Sequence, residues 1–341
     1  MTDFIIEFLR TQTGNNTIVL VIASVLMLVI GFVGLIKGAD LFVDSASQVA
    51  AKLKVPLIVI GLTIVAFGTS APEAAVSISS SVQGSAGIAV GNVIGSNILN
   101  ILVILGFTAL ICRIPVKKNT FRIEIPFVIF ITAVLLVLGI IGNNLDLIDG
   151  IILLVIFAAF MVYLFKVAKN DPEAMQDVPE IKENASMPKM IVFILLGLVM
   201  IVLGSSFTVT GATEIAKTIG VSDRIIGLTI VALGTSLPEL VTNITAAKKG
   251  KTDIAIGNVI GSNIFNILLV VGLAAVISPN AIAFEQNFII DTIVAIVTSV
   301  FLFVLVCNKK RSFGRVGGII MLVSYAAYLA YLFMAPAVPV A

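Results

Sequence analysis

The sequence predicts an all-α polytopic membrane protein: ten transmembrane helices forming two inverted five-helix repeats, with helices 2 and 7 discontinuous. Three observations lead there. The 341 residues are 59% hydrophobic and 12% charged, about half the charge of an ordinary soluble domain. Apolar runs long enough to cross about 30 Å of hydrocarbon recur along the chain. Two blocks of sequence also return at a constant offset of 166 residues.

Taken in order, the candidate spans lie near 17–50, 56–82, 86–111, 122–142, 147–167, 189–218, 222–247, 253–277, 287–306 and 314–334. Each holds the roughly 20 apolar residues a helix needs to cross a bilayer. Residues Met1–Asn16 lack the pattern of a cleaved signal peptide,. The first and sixth spans are long and become polar toward their C-terminal ends. The stretch 168–188, rich in Pro, Asp, Glu, Lys and Asn, reads as a cytoplasmic linker. It divides the chain into a first repeat, 1–167, and a second, 189–341.

Lysine and arginine set the orientation, because cytoplasmic loops carry them in excess. With the N-terminus outside, the inward connections hold Lys52 and Lys54; Arg113, Lys117, Lys118 and Arg122; Lys248, Lys249 and Lys251; and Lys309, Lys310, Arg311 and Arg315. The outward ones hold Asp146 and Asp149, Asp223 with Arg224, and Glu285 near Asp291. Both termini are therefore expected outside the cytoplasm of a prokaryotic inner membrane. Five spans per half is odd, so the second half must lie upside down relative to the first, as in secondary transporters whose sites form where inverted repeats meet.

Gly61-LTIVAFGTSAPE-Glu73 matches Gly227-LTIVALGTSLPE-Glu239 at 11 of 13 positions, and Gly91-NVIGSNILNIL matches Gly257-NVIGSNIFNIL at 11 of 12. Duplicated packing explains repeated apolar periodicity. It does not explain two glutamates kept within apolar spans, where an acid costs roughly 2.5–3.5 kcal/mol. From Pro56 to Gly68 a helix rises roughly 18 Å, near mid-membrane depth. There Pro72 cannot donate to the Gly68 carbonyl and its ring crowds that turn, so oxygens near Ala66–Thr69, and near Ala232–Thr235 before Pro238, are expected to lose helical partners. Such groups persist in hydrocarbon only where they line a cavity or meet another partner. Ser70-x-x-Glu73 and Ser236-x-x-Glu239 also fit a capping box that merely restarts a broken helix.

Spans three and eight add Ser96 with Asn100 and Ser262 with Asn266, each pair at i and i+4 on one helix face. The inventory is two carboxylates, hydroxyls, amides and freed carbonyls, an all-oxygen site of charge −2. Hard cations such as Ca²⁺ and Na⁺ suit it, and protons could compete for the carboxylates. The chain has no His, and its two cysteines lie far apart, so transition-metal sites lack their usual ligands. A hydrolase with two carboxylates as acid and base would place them in unlike environments, whereas these motifs are nearly identical. A channel is a weaker alternative still.

Gly68-Thr-Ser-Ala-Pro-Glu73, Gly91-Asn-Val-Ile-Gly-Ser-Asn97 with Asn100, and their copies resemble the cation/Ca²⁺ antiporter superfamily, specifically its sodium/calcium exchanger branch. Proton/calcium exchangers typically carry Asn where this chain has Thr69 and Thr235. The resemblance implies exchange of Ca²⁺ for Na⁺ by alternating access, with no cofactor and no partners beyond the ions and membrane lipid; nothing points to nucleic acid. It implies that Glu73 and Glu239 are the central Ca²⁺ carboxylates, also serving Na⁺. Thr69, Ser70, Thr235 and Ser236 would add oxygens, with main-chain oxygens at Ala66 and Ala232. Ser96 and Ser262 would line Na⁺ positions, and Asn100 and Asn266 the inner end of the site. Some prokaryotic relatives carry Asp at the Asn266 position, which leaves stoichiometry open. Spans one and six are implied to slide, and H⁺ or another divalent cation in the same fold is the alternative. Asp40 and Asp44 are expected near the cytoplasmic interface, paired with Lys37 or local loops.

Overall fold

The computed structural model describes residues 17–170, 186–220 and 232–334. Met1–Asn16, most of the expected linker and the start of the seventh span, with Asp223 and Arg224, lie outside the described residues.

The first helix, α1 (Thr17–Leu53), is followed by α2 (Leu57–Thr69) and α3 (Ala71–Val82), which meet at a 51° bend. Then come α4 (Ala86–Ile111), β1 (Ile114–Pro115), α5 (Thr120–Gly142), β2 (Asn144–Leu145) and α6 (Leu147–Asn170). The second half holds α7 (Met187–Thr218), the short α8 (Ala232–Thr235), α9 (Leu237–Lys248) and α10 (Thr252–Ile277). It closes with β3 (Ile282–Ala283), α11 (Gln286–Val306), β4 (Ser312–Phe313) and α12 (Arg315–Met334).

Among the described residues, eight helices are long and apolar enough to cross a membrane, and the α2–α3 pair passes the same test only when its two bent halves are taken together. Observed ends fall within a few residues of the expected ones. The α6 and α7 helices reach into both ends of the expected linker, to Asn170 and from Met187. Not anticipated were π-helical turns at Gly61–Val65, Asn100–Ile104, Thr120–Glu124 and Asn266–Val271. Such turns are rare and frequent at functional sites. Two of them begin at the paired asparagines.

Helices α4 and α10 form the centre: 78% of the apolar window of each is buried, against 17–33% for the other six long helices. Helix α2 lies against α10 through glycines. A Cβ built on Gly257 would stand 2.8 Å from the Ile58 carbonyl and 3.0 Å from the Gly61 Cα. Helices α1 and α7 pack together in the same way, through Gly31, Gly38, Gly197 and Gly204. A Cβ on Gly38 would meet the Gly197 carbonyl at 2.8 Å, and one on Gly204 the Gly31 carbonyl at 2.7 Å. Close backbone approach through small residues is how helices associate in lipid, where no hydrophobic force drives them together.

The buried apolar residues fall into two clusters. The larger surrounds α4 and α10. The smaller joins Leu35, Ala39, Phe42 and Val43 of α1 to Ile201 of α7, with Ile60, Val65 and Ile254 beneath. Two antiparallel ribbons tie distant segments at the helix ends: Ile114 opposite Phe313, and Leu145 opposite Ile282.

Candidate ion-binding site

The site forms where the two broken helices approach α4 and α10. Pro72 and Pro238 occupy the first turns of α3 and α9, where a missing N–H costs least,. Glu73 and Glu239 follow in those same turns, each 1% exposed. A helix N-terminus favours a carboxylate there.

The capping-box alternative fails. Ser70 and Ser236 occupy the N-cap positions, but neither side chain caps its own helix. Each hydroxyl reaches across to the other motif: Ser70 Oγ lies 2.9 Å from Glu239 Oε1, and Ser236 Oγ lies 3.3 Å from Glu73 Oε1. Ser70 Oγ is also 2.9 Å from Ser262 Oγ. The two copies of the motif thus complete one another.

A second crossing lies between α4 and α10. Asn100 Nδ2 donates to Asn263 Oδ1 at 3.0 Å, and Asn266 Nδ2 to Asn97 Oδ1 at 3.1 Å. Asn97 and Asn263 donate reciprocally to each other's main-chain carbonyls at 3.2 Å. These bonds consume the amide nitrogens and fix which way each amide faces. The oxygens left over are Glu73 Oε2, Glu239 Oε2, Asn100 Oδ1 and Asn266 Oδ1, all buried with no hydrogen-bond partner among the described residues. Thr242 Oγ1, one turn beyond Glu239, shares that condition. An unmet buried acceptor costs about 1–3 kcal/mol, so four in a twofold pattern make these oxygens candidates for holding a cation.

Thr69 is fully buried, and its Oγ1 donates within 3.1 Å of the Val65 carbonyl and 3.0 Å of Asn258 Oδ1. Asn258 is itself held by Asn243 Oδ1 at 2.7 Å, and Asn243 by the Ala255 carbonyl at 3.1 Å. In the first half, Asn92 Nδ2 reaches Ser77 Oγ at 3.1 Å and the Glu73 carbonyl at 3.4 Å. Ser96 and Ser262 are buried one turn before Asn100 and Asn266. Thr235 is half-buried at the end of α8, and Ala232 begins it.

One expectation needs correcting. The Ala66 carbonyl is not freed by Pro72: it accepts the Ser70 N–H at 3.0 Å, with Thr69 Oγ1 at 3.5 Å. The bond that Pro72 removes is four residues back, at Gly68. Asn97, Asn263, Asn258 and Asn243 were missed as site residues. The signal available was Asn97-x-x-Asn100 repeated as Asn263-x-x-Asn266, two amides three apart in each copy.

The acids near the end of α1 also find other partners than expected. Lys249 Nζ lies 3.1 Å from Asp40 and 2.8 Å from Asp44, and Lys251 Nζ lies 2.9 Å from Asp44. Burial works to lower the Lys249 ammonium pKa, but Asp44 and Asp40 outweigh it and hold it above its usual value. The α9–α10 loop, not Lys37, neutralises this end of α1.

A buried oxygen cluster between two crossed, broken motifs in a bundle of membrane helices defines an ion-transport protein. The family model described as "Sodium/calcium exchanger protein" matches residues 23–166 and 189–334. The chain is 40% identical over 322 residues to the "Putative antiporter CaxA" of Alkalimonas amylolytica, covering 92% of this chain and 99% of that protein. It is 33% identical to the "Sodium/calcium exchanger MaX1" of Methanosarcina acetivorans, again over 92% and 99%. Among solved structures, the sodium-calcium exchanger NCX_Mj soaked with zero Na⁺ and Ca²⁺ superposes with a TM-score of 0.77 at 33% identity, covering 92% of this chain and 99% of that one. The chain belongs to the sodium/calcium exchanger family. It is a multi-pass membrane cation antiporter, a transporter whose ions are substrates, and the hydrolase alternative falls away.

Proposed function

We propose that the protein exchanges Ca²⁺ for Na⁺ across a prokaryotic inner membrane, moving Ca²⁺ outward against an inward flow of Na⁺. Its reading as ten spans makes residues 1–167 and 189–341 two inverted repeats, with 168–188 a cytoplasmic tether and both termini outside. The observation that carries it is the reciprocal crossing of Ser70 to Glu239 and Ser236 to Glu73, with the second oxygen of each glutamate buried and unmet.

Glu73 and Glu239 supply two charges, which one Ca²⁺ balances. The oxygens of Asn100 and Asn266, the hydroxyls of Thr69, Ser70, Thr235 and Ser236, and a main-chain oxygen at Ala232 help fill the 6–8 positions Ca²⁺ takes. Ser96 and Ser262 flank the positions for Na⁺. The two ion species draw on the same carboxylates, so either occupies the site only when the other has left. That competition is the physical basis of exchange. Alternating access falls to α1 and α7, which pack on each other through glycines and share a core cluster apart from the one around α4 and α10.

Equilibrium Ca²⁺ binding to the purified protein tests the assignment. Na⁺ is expected to displace Ca²⁺ competitively, with a steeper than single-site dependence on Na⁺. Displacement by protons alone, with Na⁺ without effect, would replace the Na⁺-coupled reading with an H⁺-coupled one.

A further inference from the structure

The β1–β4 ribbon joins two basic stretches that lie far apart in sequence. Ile114 pairs with Phe313, Pro115 with Ser312, and the Val116 N–H donates to the Arg311 carbonyl at 2.7 Å. At one end of this ribbon, between the last turn of α4 and the first turn of α12, lies a cavity of about 470 Å³ whose wall includes Arg113, Arg315, Cys112, Ile111 and Val316. Arg113 Nε donates to Ser312 Oγ at 2.9 Å, and Arg315 Nε to the Leu110 carbonyl at 3.2 Å. Those bonds hold both guanidinium planes, while their Nη groups have no hydrogen-bond partner among the described residues.

Toward the other end of the ribbon Lys118, Lys309 and Lys310 stand exposed, and Arg311 is half-buried. Among the described residues none of these six cations has an acidic partner. Three lysines elsewhere on this face are neutralised: Lys249 and Lys251 by Asp40 and Asp44, and Lys117 by Asp253 at 2.8 Å. Retention of cytoplasmic cations for topology needs no pocket and no pinned arginines. Arg113 and Arg315 line one pocket with no acid beside them, like charges repel, and an anion relieves that repulsion,. The pocket opens beside apolar surface of α12, where Val316 is 74% exposed and Ile319 53%. Its ligand therefore carries a phosphate and a hydrocarbon tail side by side.

We propose that this pocket is a headgroup site for an anionic phospholipid of the adjoining leaflet. Two guanidinium groups grip the phosphate, the surrounding lysines add attraction at the membrane surface, and the acyl chains run down the exposed face of α12. The proposal rests on the helices crossing the membrane and not on the ion site.

Native mass spectrometry of the full chain, released from nanodiscs of equal phosphatidylcholine and phosphatidylglycerol, tests it. The wild type is expected to retain phosphatidylglycerol over phosphatidylcholine. R113Q combined with R315Q should lower that occupancy about tenfold. K52Q combined with K54Q, which removes the same charge from another loop of the same face, should leave it unchanged. V316E, at a side chain free of polar bonds, should also expel the lipid, so the test stands even if the arginine variant does not fold. Equal loss in the Lys52/Lys54 variant would reduce the site to diffuse surface charge. Retention of lipid by the arginine variant, or displacement by glycerol 1-phosphate as effective as by the lipid, would overturn the proposal.

Discussion

At the scale of single residues, the site is a pair of acids whose environment is built by the opposite repeat. Glu73→Gln and Glu239→Gln should each weaken Ca²⁺ binding by about 30-fold or more, the factor for losing one partner of a buried charge pair at roughly 2 kcal/mol or above. Thermal midpoints should stay level or rise, because each change removes an acid held out of water. A variant that loses binding only together with its fold would argue against direct ligation. Asn97 plays a positioning part: its Oδ1 accepts Asn266 Nδ2 and so leaves Asn266 Oδ1 facing the site. Asn97→Ala should raise the Ca²⁺ dissociation constant about 30-fold, the roughly 2 kcal/mol middle of the range for one misdirected buried polar group. A turnover defect with unchanged Ca²⁺ affinity would contradict that part.

Glu73 and Glu239 were legible because acids are rare in apolar spans, and the exact repetition of GTSxPE marked them twice. The direction of Ser70 was not legible. Ser-x-x-Glu is locally satisfied by a capping box, and only the approach of Glu239, 169 residues away, decides against it. The amide lock of Asn97 and Asn263 was hidden for the same reason. Helical periodicity gives the face on which an amide lies but not the side chain from another helix that meets it.

At the scale of elements, the eight long helices among the described residues were readable to within a few residues, since hydropathy and membrane thickness constrain them tightly. The α2–α3 proline break was readable too, with Gly68 as the carbonyl that loses its donor; only the extension to Ala66 failed, since that carbonyl keeps the Ser70 N–H. Asp40 and Asp44 were assigned a local partner because Lys37 lies one turn away, whereas the fold brings Lys249 and Lys251 closer. The packing of α1 on α7 carries the testable claim here. Gly38→Val and Gly204→Val place a side chain within 2.8 Å and 2.7 Å of opposing carbonyl oxygens. Each should cost about 1–3 kcal/mol of stability and slow exchange while Ca²⁺ affinity is retained. Gly87→Ala, whose nearest atom would be a Phe288 ring carbon at 3.8 Å, should leave exchange unchanged. Normal turnover in both valine variants would mean that the α1–α7 contact does not govern access.

At the scale of the whole molecule, the two ribbons bear opposite charge. Arg113, Lys117, Lys118, Lys309, Lys310 and Arg311 flank β1–β4, while Asp146, Asp149 and Glu285 flank β2–β3. By the excess of Lys and Arg in cytoplasmic loops, the basic ribbon is expected on the cytoplasmic side. Cys307, exposed at the end of α11 beside that ribbon, reports on it directly. A membrane-impermeant maleimide should leave Cys307 unmodified in intact cells and modify it in inverted vesicles; the reverse pattern would turn the molecule over in the membrane.

The central claim is that the crossed glutamates couple Ca²⁺ to Na⁺. Proteoliposomes loaded with Ca²⁺ and given inward Na⁺, H⁺ or K⁺ gradients one at a time measure it most directly. Ca²⁺ efflux driven by the Na⁺ gradient, absent under the other two and absent in Glu73→Gln and Glu239→Gln, is the predicted result. Efflux driven equally by a proton gradient in Na⁺-free buffer, or surviving in either glutamine variant, would contradict it.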